Sequence, residues 1–367
     1  MPEYLAPGIY VEETSFRPRS IEGVSTSTTA FVGLTLKGPA GEGVTPELLT
    51  SFGDFERIYG GLDPISLTSG SNTIAMPNYL AHAVRAYFDN GGARLYVSRV
   101  IPGSATAGNS TNFTISGGGA SAPAVRFEAR FQGAGGNGTV TLLELSTPVS
   151  ATTLGSASEG SLLRVGTGDS VTYYLKTSNT GNLDDWDNSS GTALTTDIIE
   201  GTPTEEPAPG EEPPAPSPPE LHVITLSVIT RDVSGNETSF EDLGLDPRHP
   251  RWIGSVLAAE PARRSDALNN PFALEAVGSG ASLTDVDGFE LQALLDSTLG
   301  TPDSETQNRA SDAIAISGGS DGGFPSSNDY RAALQNLESL EEISIVAAPG
   351  YSGFFPATGT VLEGLTT

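Results

Sequence analysis

The sequence predicts an α/β core domain with a β-rich inserted domain and an extended N-terminal arm, a multi-domain α+β protein overall. Three observations predict it. Helix-period stripes next to strand-like apolar runs occur before residue 101 and return after about residue 250. Between them lie short β segments separated by Gly, Ser, Thr and Asn, with no convincing amphipathic helix. The first residues, YLAPGIYVEE, carry strand chemistry with no local partner. The expected divisions are an arm at 1–22, a core from 23–101 and 241–367, and an insert at 102–240. At 367 residues the chain is long enough for two domains.

Taken in order, the arm alternates Ile9 and Val11 on one face with Tyr10 and Glu12 on the other, then runs into a polar leash containing Pro18 and Gly23. Residues 27–36 read as a buried strand that ends at the Gly38-Pro39 turn. Residues 45–60 read as two short helical pieces, capped by Thr45 and Ser51 and stopped by Gly60-Gly61. The clearest helix is 76–89, with Tyr79, Leu80, Ala83, Val84, Tyr87 and Phe88 on one stripe and Asn90-Gly91-Gly92 as its stop. ARLYVSRV follows as a strand, which completes an αβ unit.

Candidate strands of the insert are 112–116, 123–131, 138–146, 161–166, 171–177 and 221–230. The Pro/Glu-rich run 201–220 reads as a solvated linker. Helices are expected again at 251–259 and 286–297, and a short buried strand at 312–317. A helix at 327–340 would be capped by Ser327 or Asn328 and would bury Tyr330, Leu334, Leu337 and Leu340. ISIVAAPG, 343–350, reads as a fully buried strand of a parallel sheet.

Composition narrows the function. A net charge of −27 disfavours binding to free nucleic acid, which needs a basic patch, and suits a basic partner surface. Cysteine is absent and the three histidines, His82, His222 and His249, show no metal-ligand spacing, so neither metal nor cofactor is expected. There is no signal-peptide pattern in the first twenty residues and no apolar run of the ~20 residues a membrane span needs, so synthesis and assembly are expected in the cytoplasm.

Four stretches imitate chemical motifs. GGSDG, Gly318 to Gly322, matches the nucleophile elbow around Ser320, but no helix follows at once and no histidine lies after it. Asp285, Asp287 and Glu290 have the wrong spacing for a calcium loop and suit a helix start. LKGPAGEG lacks the residue order of a phosphate loop, and GAGGNG at 133–138 precedes a strand rather than a helix, so both read as turns. No catalytic constellation emerges, and no enzyme is expected. The competing readings are a serine hydrolase using Ser320 and an acidic β-rich surface or adhesion protein.

Several segments together resemble one family. MPEYLAPGIYVEE, AYFDNGGARLYVSRV, VRFEARFQGAGGNGTVTL, FEDLGLDPRHPRWIGSVL, ISGGSDG and DYRAALQNLESLEEISIVAAPG are similar, in order, to segments of contractile tail sheath proteins. These form phage tails and phage-tail-like contractile injection systems. The resemblance implies an arm donated to a neighbouring subunit's sheet, with Tyr4, Leu5, Ile9, Tyr10, Val11 and Glu12 as the inter-subunit residues. It implies a homo-oligomer of six-fold rings stacked around an inner tube, flanked by baseplate and terminator or cap proteins, that contracts to drive the tube through a target membrane. It further implies that the family's C-terminal domain, which follows the AAPG strand, comes from a second chain or a segment outside this sequence.

Overall fold

The computed structural model describes residues 28–114, 123–166, 171–201, 218–278 and 280–354. In the first part lie β1 (Thr28–Leu34), β2 (Glu47–Leu49), α1 (Phe52–Tyr59), the hairpin β3 (Ile65–Ser69) and β4 (Asn72–Met76), α2 (Tyr79–Asp89) and β5 (Arg94–Val100). The β-rich part contains β6 (Phe113–Thr114), β7 (Ala124–Ala129), β8 (Gly138–Pro148), β9 (Leu162–Val165), β10 (Thr172–Lys176), β11 (Trp186–Asn188), α3 (Thr196–Glu200), β12 (Leu221–Asp232) and β13 (Glu237–Leu243). Then follow α4 (Ile253–Val256), α5 (Arg264–Asn269), β14 (Phe272–Ala276), α6 (Gly288–Asp296), β15 (Arg309–Ala310), β16 (Ile314–Ile316), α7 (Ser327–Gln335), β17 (Ile345–Ala347) and α8 (Tyr351–Phe354). Helices and several sheets thus form a multi-domain α+β fold.

The α/β part is a three-layer unit around a four-stranded sheet ordered β17-β1-β5-β2. Strand β1 pairs in parallel with both β5 and β17, and β2 closes the other side antiparallel to β5. One face carries Ala30, Val32 and Tyr96 against Tyr330, Ala333 and Leu337. The opposite face carries Leu49, Leu95 and Val97 against Phe55, Tyr59, Leu80 and Val84. Burial on both faces explains the unbroken apolar run of β1.

The β-rich part holds an antiparallel sheet ordered β11-β10-β9-β12-β8-β15, with β13 on β12 and β16 on β8, beside a smaller sheet β14-β7-β6. Its largest core gathers Val140, Leu142, Leu226 and Val228 from the larger sheet, Phe127 and Phe272 from the smaller, and Leu291 and Leu294 from α6. The expected boundary at residue 240 falls inside β13, and β14, β15 and β16 pair with strands of this part. The chain rejoins the α/β unit at α7, which packs on β5.

Local expectations fare unevenly. The segment around 47–49 is a strand, not the first of two helical pieces: the Thr50 and Ser51 hydroxyls bond the Asp54 carboxylate, so the helix nucleates only from Phe52. The helix expected over 251–259 stops after one turn. Leu257 O accepts from Leu274 N–H of β14, and the Arg130 guanidinium takes the Ala258 and Ala259 carbonyls, so tertiary donors replace helical ones. Helix α7 is capped by Ser326, which exchanges bonds with Asp329 in a capping box. It buries Tyr330 and Ala333, and Leu337 beyond its end is buried too, while Leu334 is exposed: the covered side follows positions 330, 333 and 337, and Leu334 lies off it. Strand β17 is parallel as expected but lies at the sheet edge, with Ile345 53% and Val346 52% exposed.

Polar groups buried in the β-rich part are mostly paired. Glu144 is buried and receives Arg309 Nε (2.9 Å), Arg309 Nη2 (2.6 Å) and Gln292 Nε2 (2.7 Å), and Arg309 also reaches Asp296. The two lysines of the chain are both structural. Lys176 is fully buried and donates to Gly155 O, Ala157 O and Asn179 Oδ1, and Lys37 meets Asp232 at 3.0 Å.

His222 and His249 make stability depend on mild acid. Burial, then the neighbouring Arg164, lowers the pKa of His222; burial, with the nearby Arg251 charge, lowers that of His249. The unfolded chain therefore takes up protons first, near 6.5, and stability falls as pH drops below that value until the folded state also protonates. Urea midpoints are expected to decline between pH 7 and 5.5, with a flatter slope in a His222→Gln/His249→Gln variant. An unchanged slope in that variant would assign the decline to other groups.

Candidate functional site

The arm residues Tyr4, Leu5, Ile9, Tyr10, Val11 and Glu12 lie outside the described residues. Among those described, the surface with the character of an assembly site is the open edge of the four-stranded sheet. Ile345 and Val346 on β17 are both more than half exposed, and Tyr79 and Tyr351 are exposed as well. Tyr79 packs on the backbone at Gly350, where an added Cβ would sit 2.8 Å from its ring, and the Tyr351 ring meets Tyr330 edge-on at 4.9 Å. A parallel strand is ordinarily covered on both faces and both sides, and a bare apolar edge is a template for another chain.

A second feature is the joint between the α/β unit and the β-rich part. It gathers the glycine-rich stretches that mimic catalytic motifs in the sequence. GGSDG, the GAGGNG turn between β7 and β8, and the Leu36–Gly38 segment after β1 converge on Asp321. Asp321 is buried, and its carboxylate accepts from Ala134 N–H at 2.8 Å and Ser66 N–H at 3.1 Å. Gly135 N–H donates to Leu36 O, and the Asn137 amide exchanges bonds with Gly319 N–H and O. Arg99, also buried, donates from Nη1 to Gly38 O at 2.8 Å. Burial brings its pKa down to about 10, against the attraction of Asp321.

Glycine is required here by contact and by conformation. Gly133 has a φ of 123°, and a Cβ on it would lie 2.6 Å from Arg99 Nη2 and 2.7 Å from Leu36 O. Gly322 has a φ of 77° and lies 2.6 Å, measured from such a Cβ, from Ala105 N. Each segment is short of side chains so that backbones from both parts can interlock.

This geometry also describes Ser320. Its N–H and C=O pair with Thr106, and its Oγ accepts from Gly322 N–H at 3.2 Å. The next helix starts only at Ser327. The motif is a strap between sheets, and its prominent side chain is the aspartate after the serine. Asp287, from the calcium-like stretch, is the N-cap of α6 and exchanges bonds with Glu290. Scans against protein-family models, curated proteins and solved structures found no match to this chain.

Proposed function

We propose that this chain is a structural assembly subunit of the contractile-sheath type. The observation that carries the reading is the apolar parallel edge at β17, where Ile345 and Val346 stand more than half exposed. An added strand or domain would complete the sheet there through main-chain bonds, with alternate side chains setting register. On this reading the arm residues Tyr4 to Glu12 provide the link between subunits. Six-fold rings stack around an inner tube between baseplate and cap proteins, assembled in the cytoplasm. Contraction draws on energy stored in subunit contacts rather than on a cofactor. The joint at Asp321 supports the same role, because its carboxylate ties segments of both parts, and a subunit that transmits force needs its parts held together.

The test is pelleting and negative-stain microscopy of the protein from its native source and of two variants, Val346→Lys and a deletion of residues 2–14. The expected result is tubular particles from the wild type and none from either variant. Val346→Lys keeps the wild-type circular dichroism, since substitution at an exposed position rarely changes stability by more than about 0.5 kcal/mol, and on this reading the deletion keeps it too, because the arm serves a neighbouring subunit. Tubes from both variants, or no pelleting by the wild type, would overturn the reading.

A further inference from the structure

One face of the β7–β14 pair is charged. Val125, Phe127 and Ala129 belong to the core, so Arg126, Glu128 and Arg130 lie on the opposite face. The antiparallel register sets Glu275 opposite Arg126 and Ala273 opposite Glu128. Glu128 and Glu275 are therefore diagonal neighbours on one face, a separation that long side chains span. Both line a cavity of about 380 Å3 whose other wall includes Gly38, Ala40, Arg99 and Ile101 of the α/β unit. Two carboxylates that share such a site are held apart in charge state, because like charges at this range disfavour double ionisation.

The cations of this face are committed elsewhere. Arg126 is paired with Glu128. Arg130 gives Nε to Asn270 O at 3.0 Å and its terminal nitrogens to the Ala259 and Ala258 carbonyls, with the charge of Asp266 on α5 in its field. Arg99 of β5 gives Nη1 to Gly38 O. Among the described residues no backbone or cationic donor reaches the half-buried Glu275 carboxylate, and its hydrogen-bonding neighbour is the Glu128 carboxylate. Burial, then the charge of Glu128, raises the pKa of Glu275 above its ordinary 4.5, against the pull of Arg126 and Arg130.

We propose that Glu275 and Glu128 share one proton, Glu275 donating its O–H to the Glu128 carboxylate, and that the pair is a pH-sensitive clasp beside the joint. The strand that carries it leads to the strap: Asn109 is bridged to Glu128 on one side and to Ser317, the residue before GGSDG, on the other. In acid the clasp is closed by one O–H···O bond. As pH rises the proton leaves to solvent, the bond is lost and two like charges face each other across β7 and β14. The stability it contributes is fully present below the ordinary value of 4.5 and is lost as pH rises through the higher value of the folded state. This is opposite in sign to the effect of His222 and His249. The inference stands on the fold alone and does not depend on the sheath reading.

The test has two readings on the full chain. Carbon-13 NMR of the Glu275 carboxyl, read in the wild type and so independent of whether a variant folds, should show a titration midpoint above 4.5, and Glu128→Gln should move it down. Urea midpoints of wild type and Glu275→Gln are then compared across pH. Glutamine keeps a donor to Glu128 and cannot ionise, so it stands for the closed clasp. The midpoint of Glu275→Gln relative to the wild type should be level below pH 4.5 and climb as pH rises, a difference from which the two histidines cancel. A Glu275 titration at or below 4.5, one unmoved by Glu128→Gln, or a stability difference that does not change with pH would overturn the proposal.

Discussion

Replacing Asp321 with alanine is expected to cost about 3–5 kcal/mol, because it removes a buried carboxylate that accepts two backbone N–H groups and leaves both donors unpaired beside buried Arg99. The loss falls on a joint, so it should also change how the protein unfolds. Ser66 belongs to the hairpin β3–β4 of the α/β unit, and Ala134 to the turn that starts β8 of the β-rich part. One carboxylate therefore bridges the two. Both tryptophans, Trp186 and Trp252, lie in the β-rich part, so their fluorescence follows that part, whereas circular dichroism follows the whole chain. In urea the wild-type transitions by the two probes should coincide, and in Asp321→Ala they should separate. Coincident transitions with only a lower midpoint would show that Asp321 stabilises one part and does not couple them. Asp321→Asn, which keeps one acceptor, should fall between the two.

Replacing Arg309 with methionine is expected to cost about 3–5 kcal/mol by stranding Glu144, a buried carboxylate that keeps only Gln292. Burial lowers the pKa of Arg309, and its bonds to Glu144 more than compensate and hold it above its ordinary value. The guanidinium is thus charged at any working pH, and the cost is that of separating a real ion pair. Removing both partners together, Arg309→Met with Glu144→Leu, should recover much of the loss, because two apolar side chains leave no orphaned charge. The thermal midpoint of the double variant relative to the single is the measurement. A double variant no more stable than the single would mean that packing under α6, rather than charge, sets the cost.

The elements that were legible in the sequence are those whose cause is local. Helix α2 could be read from its Leu80–Val84 stripe and its Asn90-Gly91-Gly92 stop, and α6 from its acidic start, because capping and periodicity act within one or two turns. Helix α2 starts at Tyr79 rather than 76, because Met76 ends β4 and Asn78 is the cap, and Tyr79 is exposed. All six candidate strands of the insert have counterparts, since alternation and turn residues are local too. The hairpin β3–β4 is not among the expected elements, although ISLTSGSNTIAM carries a signal for it, two short runs around Gly70 with its positive φ of 58°.

Other features had no local cause. Helix α4 is cut short because Arg130 and Leu274, distant in sequence, take the carbonyls it would have used. Strand β17 has the composition of a central strand, yet its exposure depends on what stands beside it, which three residues cannot encode. The sequence by itself determined the fold class, the six candidate strands of the insert, helices α2 and α6 and the glycine-rich character of the joint. Only the tertiary structure decided that GGSDG, GAGGNG and the turn after β1 meet at one aspartate, and that β14 to β16 join the β-rich sheets. Each of these depends on contacts between residues far apart in the chain, and periodicity, capping and turn chemistry report only on neighbours.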